Sequence, residues 1–153
     1  MPVLPPARQL NRFFLLSWLI AVVQVAGLQG ARQFTEAAVA GWTLATTLSY
    51  AFIYLLPALL LTHLLRRLLA FRTMRSAPVV LAAAAVGLTG LIQTLLFADR
   101  LIHDMYGFHI NGFVIDLVLT PGGIAALGAG MGTRIAAGLI VLAFFAAQAG
   151  AYA

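Results

Sequence analysis

Chemistry in this chain concentrates between Asp99 and Arg134, a stretch that holds three of the four acidic residues, two of the three histidines and most of the glycine-rich sequence. Asp99 and His103 stand one helical turn apart, Asp104 follows, and His109 is within reach, which is the spacing from which a metal site is built. The same residues serve equally as an interfacial cluster that satisfies headgroups, water and each other. Without a cysteine or a third fixed ligand, no metal and no cofactor is assigned. Ser17, Ser49 and Ser76 are all distant in sequence from His103 and His109, so no hydrolytic triad and no catalytic residue is assigned either. Lipid-headgroup contact suits the segment better. Arg100 and Arg134 are able to pair with phosphate, Tyr106, Phe108 and Phe113 suit the membrane interface, and backbone N–H groups at short helix starts attract anions. Arg100, Tyr106, His109, Asn111 and Arg134 form the candidate headgroup set, and a structural lid without a ligand is the competing interpretation.

The elements that position this set are short. Phe113 to Leu119 is apolar except for Asp116 and too brief to cross a bilayer, so an interfacial or re-entrant helix is expected, with Asn111 as its cap. Thr120 followed by Pro121 has the form of a second helix start, for a short helix through Ile124 to Leu127. Gly128 and Gly132 have the spacing of a helix-pairing motif, weak evidence in so glycine-rich a stretch.

The scaffold is membrane-like throughout. Of 153 residues, 63% are hydrophobic and 8% charged, far from the composition of a soluble domain. All nine basic residues are arginine, a bias that suggests a GC-rich bacterial genome, and they sit between apolar runs as topology signals, which argues against a nucleic-acid partner. Cysteine is absent, which removes disulfides, thiol catalysis and cysteine-based metal sites. Four stretches reach the ~20 apolar residues that a crossing needs: residues 10–28, 37–65, 78–98 and 135–152, with an exterior segment over 99–134. The fold expected is an all-α polytopic helix bundle forming one transmembrane domain. A cleaved signal peptide is the rival interpretation of the first stretch, although Gln24 interrupts its apolar core. The second is long enough to tilt or to bend at Pro57, and the third opens on Pro78.

Arginine placement orients the chain. Arg8 and Arg12 precede the first span and Arg66, Arg67, Arg72 and Arg75 fill the second connection, whereas the opposite side holds Arg32, Arg100 and Arg134 together with Glu36, Asp99, Asp104 and Asp116. Because short-loop arginines collect in the cytoplasm, both termini are expected there, in a bacterial inner membrane.

The run Asp99-Arg100 through Tyr106-Gly-Phe-His-Ile-Asn-Gly-Phe113, then Thr120-Pro-Gly-Gly-Ile124 and Leu127-Gly128, resembles the exterior segment in the membrane domain of bacterial sulfatase-like transferases, the lipoteichoic acid synthase and phosphoethanolamine transferase group. In that family about five helices precede an external alkaline-phosphatase-like domain that carries the metal ion and the nucleophile. The resemblance implies a membrane anchor and lipid-binding platform whose partners are membrane phospholipid and a separate or downstream catalytic domain. The chain stops after its fourth span, so no catalytic residue carries over; it is expected to be a front half or a stand-alone relative. A small transporter or channel-like subunit is the alternative, weakened by span interiors that offer Gln24, Gln93, Gln148, hydroxyls and Pro57 but no ionisable pair.

Overall fold

The computed structural model describes residues 4–28, 36–71, 74–123 and 130–153. Among them the chain forms helices α1 (Ala7–Leu28), α2 (Ala37–Ala70), α3 (Ala77–Tyr106), α4 (Gly112–Leu119) and α5 (Met131–Tyr152), and no strand. All but α4 are long and apolar enough to cross a membrane, so the chain is an all-α polytopic helix bundle. At 1.5 Å per residue α1 and α5 are about 33 Å long, close to the ~30 Å hydrocarbon core. The 34-residue α2 reaches about 50 Å and must tilt or project. It runs unbroken through Pro57.

Each helix boundary has a local cause. α3 starts with proline in its first turn, where no intrahelical bond is forfeited. It does not stop at Ala98, where its apolar run ends. Asp99, Arg100, His103 and Asp104 continue it at helical spacing, with Arg100 Nε 3.7 Å from Asp104 Oδ2 across one turn. Gly107 then ends it in the left-handed conformation at φ 76°, donating its N–H to the His103 carbonyl at 2.8 Å, a geometry that favours glycine. Because α5 also begins early, at Met131, the connection between the two helices is shorter than the sequence suggested. Asn111 caps α4, its side-chain oxygen accepting from the Val114 N–H at 3.2 Å.

Helix α1 packs against α2, α3 and α5, and α3 packs against α1, α2 and α5; among the described residues α2 and α5 do not meet. α1 and α3 therefore form the centre, with α2 and α5 on its flanks. The start of α1 and the end of α5 lie at one end, where the Gln9 amide donates to the Tyr152 carbonyl and Phe13 packs edge-on against Tyr152. Arg66 of α2 joins this end by donating to the Pro5 carbonyl at 3.0 Å. The packing is layered from here. Leu10, Leu69, Ala77 and Leu81 fill the arginine-rich end, Phe13, Phe14, Ala58 and Ala85 the middle, and Ala21, Val25, Ala51, Leu55 and Leu96 the layer toward the acidic end. Gly90 lets α5 approach closely, since a Cβ there would come 2.9 Å from the Phe145 ring. Along its length α5 exposes Met131, Ile135, Leu139 and Leu142 on one face, as a lipid-facing helix does.

A polar network lies inside this apolar packing. Ser17 donates to Gln148 Oε1 at 2.6 Å, the Gln93 amide donates to the Ser17 carbonyl at 2.8 Å, and the Gln24 amide donates to Gln93 Oε1. Ser17, Gln93 and Gln148 are fully buried. The network thus joins α1, α3 and α5. α2 is fixed to α1 by apolar contacts and by the Trp18 indole, which donates to the Leu48 carbonyl at 3.2 Å.

Candidate functional site: a lateral cleft at the acidic end

The cleft of most chemical interest lies between α2 and α3 at the end that carries Asp99, Asp104 and Asp116. It measures about 490 Å³ and is lined by Tyr54 of α2, Ile92, Leu95, Leu96 and Asp99 of α3, His109 and Ile110 of the connection, and Ile115 of α4. Leu95 and Ile115 are themselves about half exposed, so the cleft opens on the outer surface of the bundle. Its walls are aliphatic below and polar above. Ile92, Leu95 and Leu96 lie one to two turns deeper along α3 than Asp99.

Asp99 organises the upper end. Its Oδ1 accepts the Ile110 N–H at 2.6 Å and its Oδ2 lies 2.8 Å from His109 Nδ1. A carboxylate only accepts, so the proton between them is on Nδ1 and the other imidazole nitrogen, Nε2, is left to accept when the ring is neutral or to donate when it is charged. The side chain of Asp99 is 17% exposed, against 62% for His109. One carboxylate therefore holds the chain that follows Gly107 against the end of α3. The His109 ring also stacks on His103, with centroids 4.7 Å apart.

Of the five residues that the sequence singled out, the structure brings His109 into the cleft lining and places the other four elsewhere. Arg100 lies against the end of α1: a Cβ at Gly27 would collide with its guanidinium. There it meets the carbonyl-rich C-terminal turn of α1, a favourable place for a cation, and faces Asp104 across one turn. Tyr106 stacks on Phe108 with ring centroids 5.8 Å apart. Asn111 is occupied as the cap of α4. Arg134 is in the first turn of α5, on the flank opposite α2. Among the described residues, no three histidine or acidic side chains converge as a metal site.

Thr120 differs from its expected role. It closes α4, its hydroxyl donating to the Asp116 carbonyl at 2.8 Å, and its own carbonyl accepts the Gly123 N–H across a turn through Pro121 and Gly122, the latter at φ 84°. The helix expected over Ile124 to Leu127 lies outside the described residues, as do Arg32, Arg72 and Gly128.

Two cleft residues were not singled out as headgroup contacts by the sequence. These are Asp99, which was weighed as a metal ligand, and Tyr54 of α2. A phenol and a carboxylate at the same depth on neighbouring spans are visible in sequence, but their approach depends on how α2 and α3 face each other.

Fold and cleft together define a polytopic helical membrane protein with a side opening near one surface. Comparison with family models, with curated proteins and with solved structures returns no match.

Proposed function

We propose that this chain is a lipid-binding membrane domain that holds a phospholipid in the cleft between α2 and α3, with acyl chain against Ile92, Leu95 and Leu96 and headgroup at Asp99, His109 and Tyr54. The observation that carries this is the gradient within one cleft, aliphatic at bilayer depth and polar where α3 leaves the apolar region. A bilayer supplies one molecule of that pattern in excess. The arginine-rich end, with Arg8, Arg12, Arg66, Arg67 and Arg75, faces the cytoplasm in this proposal, which puts the cleft in the outer leaflet of a bacterial inner membrane. The resemblance to the front half of sulfatase-like transferases supports the same direction, because Asp99 and His109 both fall within the shared run. The proposed role is then to anchor and present lipid to an external catalytic domain rather than to perform catalysis.

Native mass spectrometry of protein extracted from a phospholipid membrane tests it. Leu95→Trp and Ile115→Trp enlarge exposed side chains on the cleft wall, and each is expected to remove one bound phospholipid without changing the helical content. Unchanged lipid stoichiometry in both variants would defeat the proposal.

A further inference from the structure

A second opening lies between α1 and α2, running from the middle of the bundle toward the arginine-rich end. It is a groove of about 210 Å³ lined by Asn11, Phe14, Leu15 and Trp18 of α1 and by Phe52, Leu55 and Leu59 of α2. Leu15 and Phe52 are about half exposed, so it too opens sideways. Six of its seven lining residues are apolar or aromatic, and the exception, Asn11, marks the end nearer the arginines.

Helical register fixes what stands above the groove. On α1, Arg8 precedes Asn11, Leu15 and Trp18 on the same face at spacings of three and four. On α2, the stripe Phe52, Leu55, Leu59 continues through His63 to Arg66 and Arg67. His63 stacks on Phe14, a wall residue, with centroids 6.2 Å apart. Arg8 and Arg67 are exposed, and Arg66 keeps one bond to the Pro5 carbonyl. Thr62, fully buried beside this stripe, has a hydroxyl without a partner. All four acidic residues belong to the opposite end of the bundle. The groove therefore pairs an apolar slot with a cationic rim at an end of the bundle that carries no Asp or Glu.

We infer that this groove binds an anionic phospholipid of the leaflet at the arginine-rich end, one acyl chain lying along Phe14, Leu15, Trp18, Phe52, Leu55 and Leu59 and the phosphate meeting Arg8, Arg66 and Asn11. The occupant is an anionic lipid because the rim is cationic and arginine presents a planar fork of donors matched to phosphate oxygens. This site shares no lining residue with the cleft and opens between α1 and α2 rather than between α2 and α3.

Trp18 makes the groove directly observable. In a Trp42→Phe background it is the sole tryptophan, and its fluorescence is quenched by bromine on an adjacent acyl chain. The protein is reconstituted in phosphatidylcholine vesicles that contain a minor fraction of brominated phosphatidylglycerol or, in parallel, of brominated phosphatidylcholine. The expected result is stronger quenching by the brominated phosphatidylglycerol at equal mole fraction, with its apparent affinity reduced about fivefold in Arg8→Gln and further in Arg8→Gln with Arg66→Gln. Equal quenching by the two lipids overturns the proposal, and so does a preference for phosphatidylglycerol that survives the double substitution. Arg8 is exposed, so the single variant reports even where the loss of the Arg66 bond to Pro5 disturbs the terminus. Leu95→Trp cannot serve in this experiment, but Ile115→Phe, which crowds the distant cleft, is expected to leave the Trp18 signal unchanged.

Discussion

The glutamine network and the acidic-end cleft are both polar features set in apolar surroundings, and they are built in opposite ways. In the network, side chains from α1, α3 and α5 bond to one another away from solvent, with Gln93 donating to the Ser17 carbonyl and accepting from Gln24. In the cleft, one carboxylate ties down a backbone N–H and a largely exposed imidazole, and the facing wall of α2 contributes Tyr54. The first arrangement locks three helices in one register. The second leaves a space. A membrane interior offers no water to satisfy an unpaired amide, so the network closes largely on itself and leaves Gln24 Oε1 and Gln148 Nε2 without a partner.

The contrast breaks most readily at Gln93. Gln93→Ala removes both of its bonds and leaves a hole at a fully buried position, for an expected loss of about 2–3 kcal/mol in reversible unfolding from mixed micelles. Leu95→Trp, at the cleft, is expected to leave the same measurement nearly unchanged. If the two variants destabilise equally, the distinction between a locked core and an open site is wrong. Gly90→Val tests the apolar half of the core. A side chain there meets the Phe145 ring, and a loss of about 1–3 kcal/mol is expected, relieved in part by Phe145→Leu.

Smaller effects sharpen the picture of the cleft. Asn111→Ala removes the cap of α4 and is expected to cost about 1 kcal/mol locally, read as roughly fivefold faster exchange of the Val114 amide with the other spans unaffected. The smallest effect is expected for the coupling of Asp99 to His109. The imidazole is well exposed, so a double-mutant cycle with Asp99→Asn and His109→Ala should give well under about 1 kcal/mol, while crosslinking of the connection to α3 should still fall in Asp99→Ala. A large coupling energy would show that the cleft is as tightly built as the core.

Hydropathy alone made the four spans and their order legible, because each is a run that only a bilayer suits. Asn111 as the cap of α4 was legible too, since a capping side chain acts within three residues of itself. The end of α3 was not, because an apolar run and a helix end for different reasons. Polar residues from Asp99 to Asp104 stop the hydropathy but keep helical spacing, and Gly107, with no Cβ to resist a positive φ, stops the helix. Gln24, Gln93 and Gln148 stood out as interruptions, yet nothing along the chain says that they converge. The surroundings of Arg100 were not legible for a related reason. An arginine near an interface fits phosphate by type, and its approach to the end of α1, allowed by the absence of a side chain at Gly27, depends on how the helices pack.

The bond from Ser17 to Gln148 spans 131 residues of sequence. A ribosome makes α1 well before α5, so Ser17 and Gln24 of the first span enter the membrane with their eventual partners still unmade. During that interval they must pair transiently with whatever the insertion machinery, neighbouring lipids or water provides. Helix α3 can take the Gln24 amide when it arrives, but the Ser17 hydroxyl meets its acceptor only when Gln148 does. Docking of α5 against α1 and α3 is therefore the step that makes the Ser17–Gln148 bond, and a chain halted before it would expose a polar seam for quality-control proteases to recognise.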